Sequence, residues 1–235
     1  MQITGMLWGR KLLDLVEFPH SEVRGPELSV DEIKDMIKRH GQIFIKPLFK
    51  GGVGKKGKSG LLGRVDNIAD ALKEKERLYF AEHVDGFLKA KSDGVTYEGS
   101  VPADYEVYFS ISESTEHRCP IMTITHHGGV DIEELDDDKI KVVPFDALTG
   151  LKAFHVSNAL MELGAPTALI SPLVQNLPKL WDLYNNYGML MLELNPIRMQ
   201  PGKGGRLAPI ACDFKCAFDL DDPAWKRLHL PAHLF

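Results

Sequence analysis

The sequence predicts an α+β fold of two lobes, and three observations carry that expectation. Its 235 residues are 44% apolar and 26% charged, enough for one large domain or two closely packed lobes whose core needs no staples. Helical and strand periodicities both occur, without the even alternation of a doubly wound sheet. No repeat period or low-complexity tract interrupts them, which sets aside solenoids and disordered tails. The balance of 28 Lys+Arg against 33 Asp+Glu leaves a net charge of −5, so the chain has no global bias toward nucleic acid or anionic membrane. No apolar run approaches the roughly 18–20 residues that span a bilayer. The opening residues lack the basic and apolar regions of a signal peptide. Cys119, Cys212 and Cys216 make neither a disulfide framework nor a paired zinc motif. Reduced thiols and a cytoplasmic setting are expected.

The elements follow in order. Leu12, Leu13, Leu15 and Val16 predict a short opening helix that ends before Pro19. Ser29-Val30-Asp31-Glu32 is a capping-box pattern, and Ile33, Met36 and Ile37 follow at helical spacing until Gly41. Ile43-Phe44-Ile45 reads as a short buried strand stopped by Lys46-Pro47. A Gly- and Lys-rich loop occupies 50–63, and Asp66 is the expected cap of a helix bearing Ile68, Ala69, Ala71 and Leu72. Tyr79-Phe80-Ala81 reads as a strand leading to Glu82, and 85–100 as a polar loop or hairpin insertion. Strands are expected at 105–111 and 121–125, and helices at 153–163 and 173–187. A hairpin is expected from 189–194 and 207–211 around the Gly-rich turn at 201–205.

Gly52-Val53-Gly54-Lys55-Lys56-Gly57-Lys58-Ser59 satisfies the P-loop pattern, which requires a helix opening at its Lys-Ser. Gly60-Leu61-Leu62-Gly63 is a poor helix start. Glycines that let the backbone approach and lysines that supply charge still favour phosphate, so phosphate binding is expected without the P-loop fold. His126 and His127 are adjacent, so in regular strand geometry they face opposite sides and cannot share one metal. A structural or loop-positioning role is expected, with Gly128-Gly129 permitting a tight turn.

Lys46 at a strand end, the Gly/Lys hairpin and Glu82 are together similar to the start of an ATP-grasp nucleotide site. Four later segments sharpen the resemblance: His126-His127-Gly128-Gly129-Val130-Asp131-Ile132-Glu133, Phe145-Asp146-Ala147-Leu148-Thr149-Gly150, Glu193-Leu194-Asn195-Pro196 and Asp213-Phe214-Lys215. In order and approximate spacing they resemble the nucleotide-binding portion of the succinyl-CoA synthetase β subunit and of ATP-citrate lyase, over nearly the whole chain. The 55–63 loop and the His-rich segment look more like ATP-citrate lyase and its citryl-CoA synthetase relatives. The resemblance implies an ATP-grasp domain over 1–235, with the nucleotide site between a smaller lobe (21–84) and a larger one (1–20 and 85–235). The family's CoA-ligase portion is not among these residues. It further implies ATP or ADP and Mg2+ as cofactors, with CoA only in the complete enzyme. Citrate would be the acid, converted with ATP and CoA to acetyl-CoA and oxaloacetate through phosphohistidine and citryl phosphate. The phosphohistidine and the CoA site would lie on a partner subunit or C-terminal half, in a hetero- or homo-oligomer. A succinyl-CoA synthetase β-subunit fragment and a non-catalytic nucleotide-binding assembly module are the alternatives.

The resemblance also distributes roles. Lys46 would hold an α- or β-phosphate oxygen, with Lys56, Gly57 and Lys58 closing over the phosphates as a flap, because phosphoryl transfer asks mainly for positioning and neutralisation. Glu82 and His83, with Val84, would form the hinge that reads adenine through backbone groups. Glu106 would accept hydrogen bonds from the ribose hydroxyls. Asn195 and Asp213, on two strands of the predicted hairpin, would supply the sparse oxygen ligation magnesium prefers. Glu193, two residues earlier and so on the same face as Asn195, would orient the phosphoacceptor histidine.

Overall fold

A computed structural model describes residues 2–49, 60–85, 88–129 and 132–230. Lys56, Gly57, Lys58 and Ser59 lie outside the described residues. In chain order the first half carries β1 (Gln2–Thr4), α1 (Met6–Asp14), β2 (Val23–Arg24), α2 (Val30–His40), β3 (Ile43–Pro47), β4 (Gly63–Val65), α3 (Ile68–Tyr79), β5 (Glu82–Asp85), β6 (Leu88–Lys91) and β7 (Val95–Gly99). The second half carries β8 (Glu106–Ser114), β9 (Cys119–Thr125), β10 (Lys141–Pro144), α4 (Ala153–Glu162), α5 (Thr167–Asn176), α6 (Lys179–Asn186), β11 (Met189–Pro201), β12 (Leu207–Ala211) and β13 (Lys215–Phe218). These divide into two compact units, Ser21–Val101 and the remainder formed by Met1–His20 with Pro102–Leu230. No helix among the described residues is long and apolar enough to cross a membrane.

The Ser21–Val101 unit is a four-stranded antiparallel sheet in the order β2-β7-β3-β4, joined by the separate β5–β6 hairpin. Its first helix starts where the capping box places it. The Ser29 hydroxyl accepts from the Glu32 N–H, the Glu32 carboxylate takes the Ser29 N–H at 2.9 Å, and Gly41 at φ +68° closes the other end. Ile33 and Met36 from α2 and Ala71 and Leu78 from α3 bury against Ile43, Ile45, Val65 and Tyr97 of the sheet. Strand alternation therefore turns Phe44 and Lys46 to the opposite face.

Three sequence expectations shift in this unit. Asn67, not Asp66, caps α3, accepting from the Asp70 N–H at 3.0 Å. Tyr79 is the last residue of that helix rather than the start of a strand, because burial of Leu78 carries the helical register through it. The stretch expected as a polar insertion contains β7, buried at all five positions and hydrogen-bonded on both sides, to β2 and β3. Val95, Thr96 and Tyr97 suit a central strand, and their pairing carries the unit to Val101, beyond residue 84.

The other unit is a seven-stranded antiparallel sheet, β1-β13-β11-β8-β9-β10, with β12 also on β11. The expected hairpin forms, Pro201 opposite Leu207 and Ile197 opposite Ala211. The strands expected at 105–111 and 121–125 also pair, as β8 and β9. The helix expected over 173–187 is two helices, α5 and α6. Pro178 stands between them, and a proline ring interrupts the hydrogen-bond ladder.

Candidate functional site

In the seven-stranded sheet the site grows from one register. On β11, Glu193 faces Lys215 and Ile197 faces Ala211, while the Pro196 carbonyl accepts from the Cys212 N–H at 3.0 Å. Asn195 therefore stands across from Asp213, which occupies the short link between β12 and β13. On the other side of β11 the register with β8 shifts between Leu194 and Ile197, at the Asn195–Pro196 step. The Asn195 Oδ1 accepts the Gly129 N–H at 2.8 Å, and the Asp213 Oδ1 accepts the Phe214 N–H at 2.9 Å. Glu193 receives the Tyr108 hydroxyl at 3.5 Å, a long contact. Amide and carboxylate oxygens are thus gathered along one stretch of sheet.

The partner of Asn195 is a loop that only glycine satisfies. The Gly128 N–H donates to the Glu106 carbonyl at 2.8 Å, and a Cβ on Gly128 would lie 2.6 Å from the Val107 carbonyl carbon. Gly129 has φ +75°, and a Cβ there would strike the Glu106 carboxylate. His126 and His127 lie past the end of β9, where the alternation of a regular strand no longer applies. Strand β9 ends at Thr125, and beyond it the two rings lie side by side, tilted at 37° with centroids 4.2 Å apart. Burial, and then the neighbouring His127, hold the His126 imidazole below its ordinary pKa.

Glu106 has a partner that the reading of single residues did not foresee. Its Oε1 is held by Arg198 of β11, at 2.8 Å from Nε and 2.6 Å from Nη2. The carboxylate expected to meet ribose hydroxyls is engaged by a guanidinium, and Arg198 enters the site unforeseen. Only the β8–β11 register, Glu106 opposite Arg198, shows the pair.

In the Ser21–Val101 unit, Lys46 lies on β3 with its ammonium 2.6 Å from the Glu98 Oε2 of β7; the side chains are 18% and 5% exposed. Glu82 makes an exposed pair with Lys89 across the β5–β6 hairpin, 3.4 Å apart. His83, on the same strand, is buried, its ring centroid 6.1 Å from that of Phe49, and its Nε2 has no hydrogen-bond partner among the described residues. The chain passes between the units at His20/Ser21 and Val101/Pro102. Glu82, His83 and Val84 lie on β5, inside the β5–β6 hairpin of this unit. No cluster of three or more His, Cys, Asp or Glu suited to a metal occurs among the described residues.

The profile of the ATP-grasp domain matches residues 16–199. The chain belongs to the ATP-grasp domain family. Among curated relatives, the ATP-grasp chain is 28% identical over 200 residues to the succinate–CoA ligase [ADP-forming] subunit beta of Desulfatibacillum aliphaticivorans, covering 83% of this chain and 51% of that protein. The chain spans about half the length of the curated relatives it matches. Among solved structures, ATP citrate lyase from Methanothrix soehngenii, in complex with citrate and coenzyme A, superposes with a TM-score of 0.67 at 19% identity, covering 97% of this chain and 53% of that one. The dinucleotide-forming acetyl-coenzyme A synthetase 1 of Ca. Korarchaeum cryptofilum superposes at 0.69 and 14% identity, covering 93% of each chain. These likenesses show that the ATP-grasp fold is shared.

Proposed function

We propose that this chain is the Mg-ATP-binding module of an acyl-CoA-forming enzyme, most like ATP-citrate lyase. The observation that carries the reading is the register that sets Asn195 of β11 opposite Asp213 of the β12–β13 link, each oxygen oriented by a backbone N–H. One amide and one carboxylate are the sparse, all-oxygen donor set that suits magnesium, which keeps several waters and phosphate oxygens as its other ligands. When bound there, the ion would neutralise the charge of the transferring phosphate. Lys46 would hold an inner phosphate oxygen, and Lys56, Gly57 and Lys58 would cover the phosphates. Glu193 would orient the histidine that receives the phosphoryl group. That histidine and the CoA site belong to a partner subunit or further segment in this reading, and CoA enters only with them.

A second reading, a succinyl-CoA synthetase β-type module, is favoured by the names of most of the curated relatives, among them succinate–CoA ligase β subunits. Both share the nucleotide chemistry and differ in the acid. Calorimetric titration of the chain with ADP and ATP, with and without magnesium, tests what they share. Binding in the micromolar to millimolar range that weakens without magnesium is expected. Folded protein giving no heat at millimolar nucleotide overturns both. In the assembled enzyme, ADP formation that depends on citrate supports the first reading, and dependence on succinate the second.

A further inference from the structure

The register of β11 with β13 presents a cation that the assigned roles do not use. Glu193 lies opposite Lys215, and the same register continued sets Asn195 opposite Asp213. Two rows of polar side chains result, Glu193 with Lys215 and Asn195 with Asp213, about 7 Å apart along the strands. Lys215 turns to this polar face because its neighbours go the other way. Phe214 and Cys216 are both buried, and successive side chains on a strand alternate. On β11, Leu192 and Leu194 are buried in the same manner on either side of Glu193. Lys215 is half-buried, and its ammonium makes no ion pair or hydrogen bond among the described residues. A cation drawn partly out of water gains from an anion that brings several oxygens to its three donors.

We propose that Lys215 binds the terminal phosphate of a nucleoside triphosphate. The inference rests on the reading of Asn195 and Asp213 as magnesium ligands and of Glu193 as the residue that orients the phosphoryl acceptor. In that reading one row of the sheet serves the metal and the next row faces the acceptor. The phosphoryl group to be transferred then lies between the two rows. Lys215 stands in the second row, opposite Glu193 and one strand step from Asp213. An ammonium is a compact point charge on a flexible stem, suited to a group whose oxygens shift position. The carboxylates of Glu193 and Asp213 repel a phosphate, and Lys215 supplies positive charge that offsets them. A diphosphate has no group to place between the rows, so it gains little from Lys215.

The test is calorimetric titration, in magnesium, of wild type, Lys215→Met and Lys215→Arg with ADP and with β,γ-methylene-ATP, whose terminal phosphate cannot be transferred. Lys215→Met keeps the unbranched stem and removes the ammonium. It should bind the triphosphate analogue about ten- to hundredfold more weakly, the worth of one charge-assisted hydrogen bond. ADP should weaken by no more than about threefold, because a more distant charge is screened. Lys215→Arg keeps the cation and should bind the analogue more tightly than Lys215→Met. A lysine that merely balances Asp213 and Glu193 would weaken both nucleotides alike, so equal loss overturns the proposal. Unchanged affinity for the analogue overturns it too, as does an arginine variant no tighter than the methionine one. Should Lys215→Met fail to fold, Lys215→Gln takes its place under the same expectations. Folded wild-type protein that binds neither nucleotide removes the nucleotide reading itself, and the role of Lys215 with it. Wild type that binds both, beside a Lys215→Met protein that has lost no selectivity, removes the role of Lys215 alone.

Discussion

The two units place polar groups in a sheet by opposite means. In the Ser21–Val101 unit, Lys46 and Glu98 meet at 2.6 Å, cation against anion. In the other unit Asn195 of β11 stands opposite Asp213 of the β12–β13 link, and each accepts a neutral N–H group, from Gly129 and Phe214 respectively. Asp213 makes no ion pair among the described residues. The contrast teaches what each site asks of a ligand. The first sets opposite charges against each other within the protein. The second is rich in acceptors and gains most from a cation.

The largest expected effect breaks the acceptor side through its backbone. Gly128→Val would drive a side chain into the Val107 backbone, 2.6 Å from the Cβ position, where no flexible group can yield. Overpacking against backbone should cost about 3 kcal/mol in urea unfolding, and magnesium-dependent nucleotide binding should fall with it because the Gly129–Asn195 contact moves. Lys46→Met breaks the charge-paired side instead. It leaves Glu98 buried with less compensation and should cost about 2 kcal/mol, part of which Glu98→Gln should restore in the double variant.

The smallest effect sharpens the comparison with a charge cluster nearer to water. Burial would raise the Glu22 pKa, but hydrogen bonds from His40, Arg39 and Arg24 outweigh it and hold the group at about 2, against an ordinary 4.5. A pKa lowered by folding stabilises the protein above the unfolded value, and the benefit is lost as pH falls from about 4.5 toward 2. After screening by solvent, Glu22→Gln should cost about 1 kcal/mol at pH 7. Urea titrations of both proteins should converge as the pH approaches 2; a gap that persists there contradicts the assignment.

What the sequence discloses here depends on how local the cause is. The α2 capping box and its glycine stop lie within a dozen residues, and the structure reproduces them. The β11–β12 hairpin was legible because a Gly-rich turn joins its strands. Strand β7 was not, since Val95-Thr96-Tyr97 sits between Asp93-Gly94 and Gly99-Ser100, and its two hydrogen-bonded partners are distant in sequence. The same blindness hid the Lys46–Glu98 and Glu106–Arg198 pairs, each set by a register between strands far apart in the chain. Asn195 and Asp213 were recognised by resemblance, and the pairing of β11 with β12 on one side of the link and β13 on the other supplies the reason they stand opposite.

In the proposed reading, magnesium belongs to the sheet carboxylate Asp213 and not to the hydroxyl of the Gly/Lys loop. ADP titration of wild type, Asp213→Ala and Ser59→Ala, each with and without magnesium, tests it most directly. Asp213→Ala should remove most of the magnesium dependence, and Ser59→Ala should cost about 1 kcal/mol or less, the worth of one exposed neutral hydrogen bond. A Ser59→Ala protein more impaired than Asp213→Ala would place the metal at the loop and contradict the account.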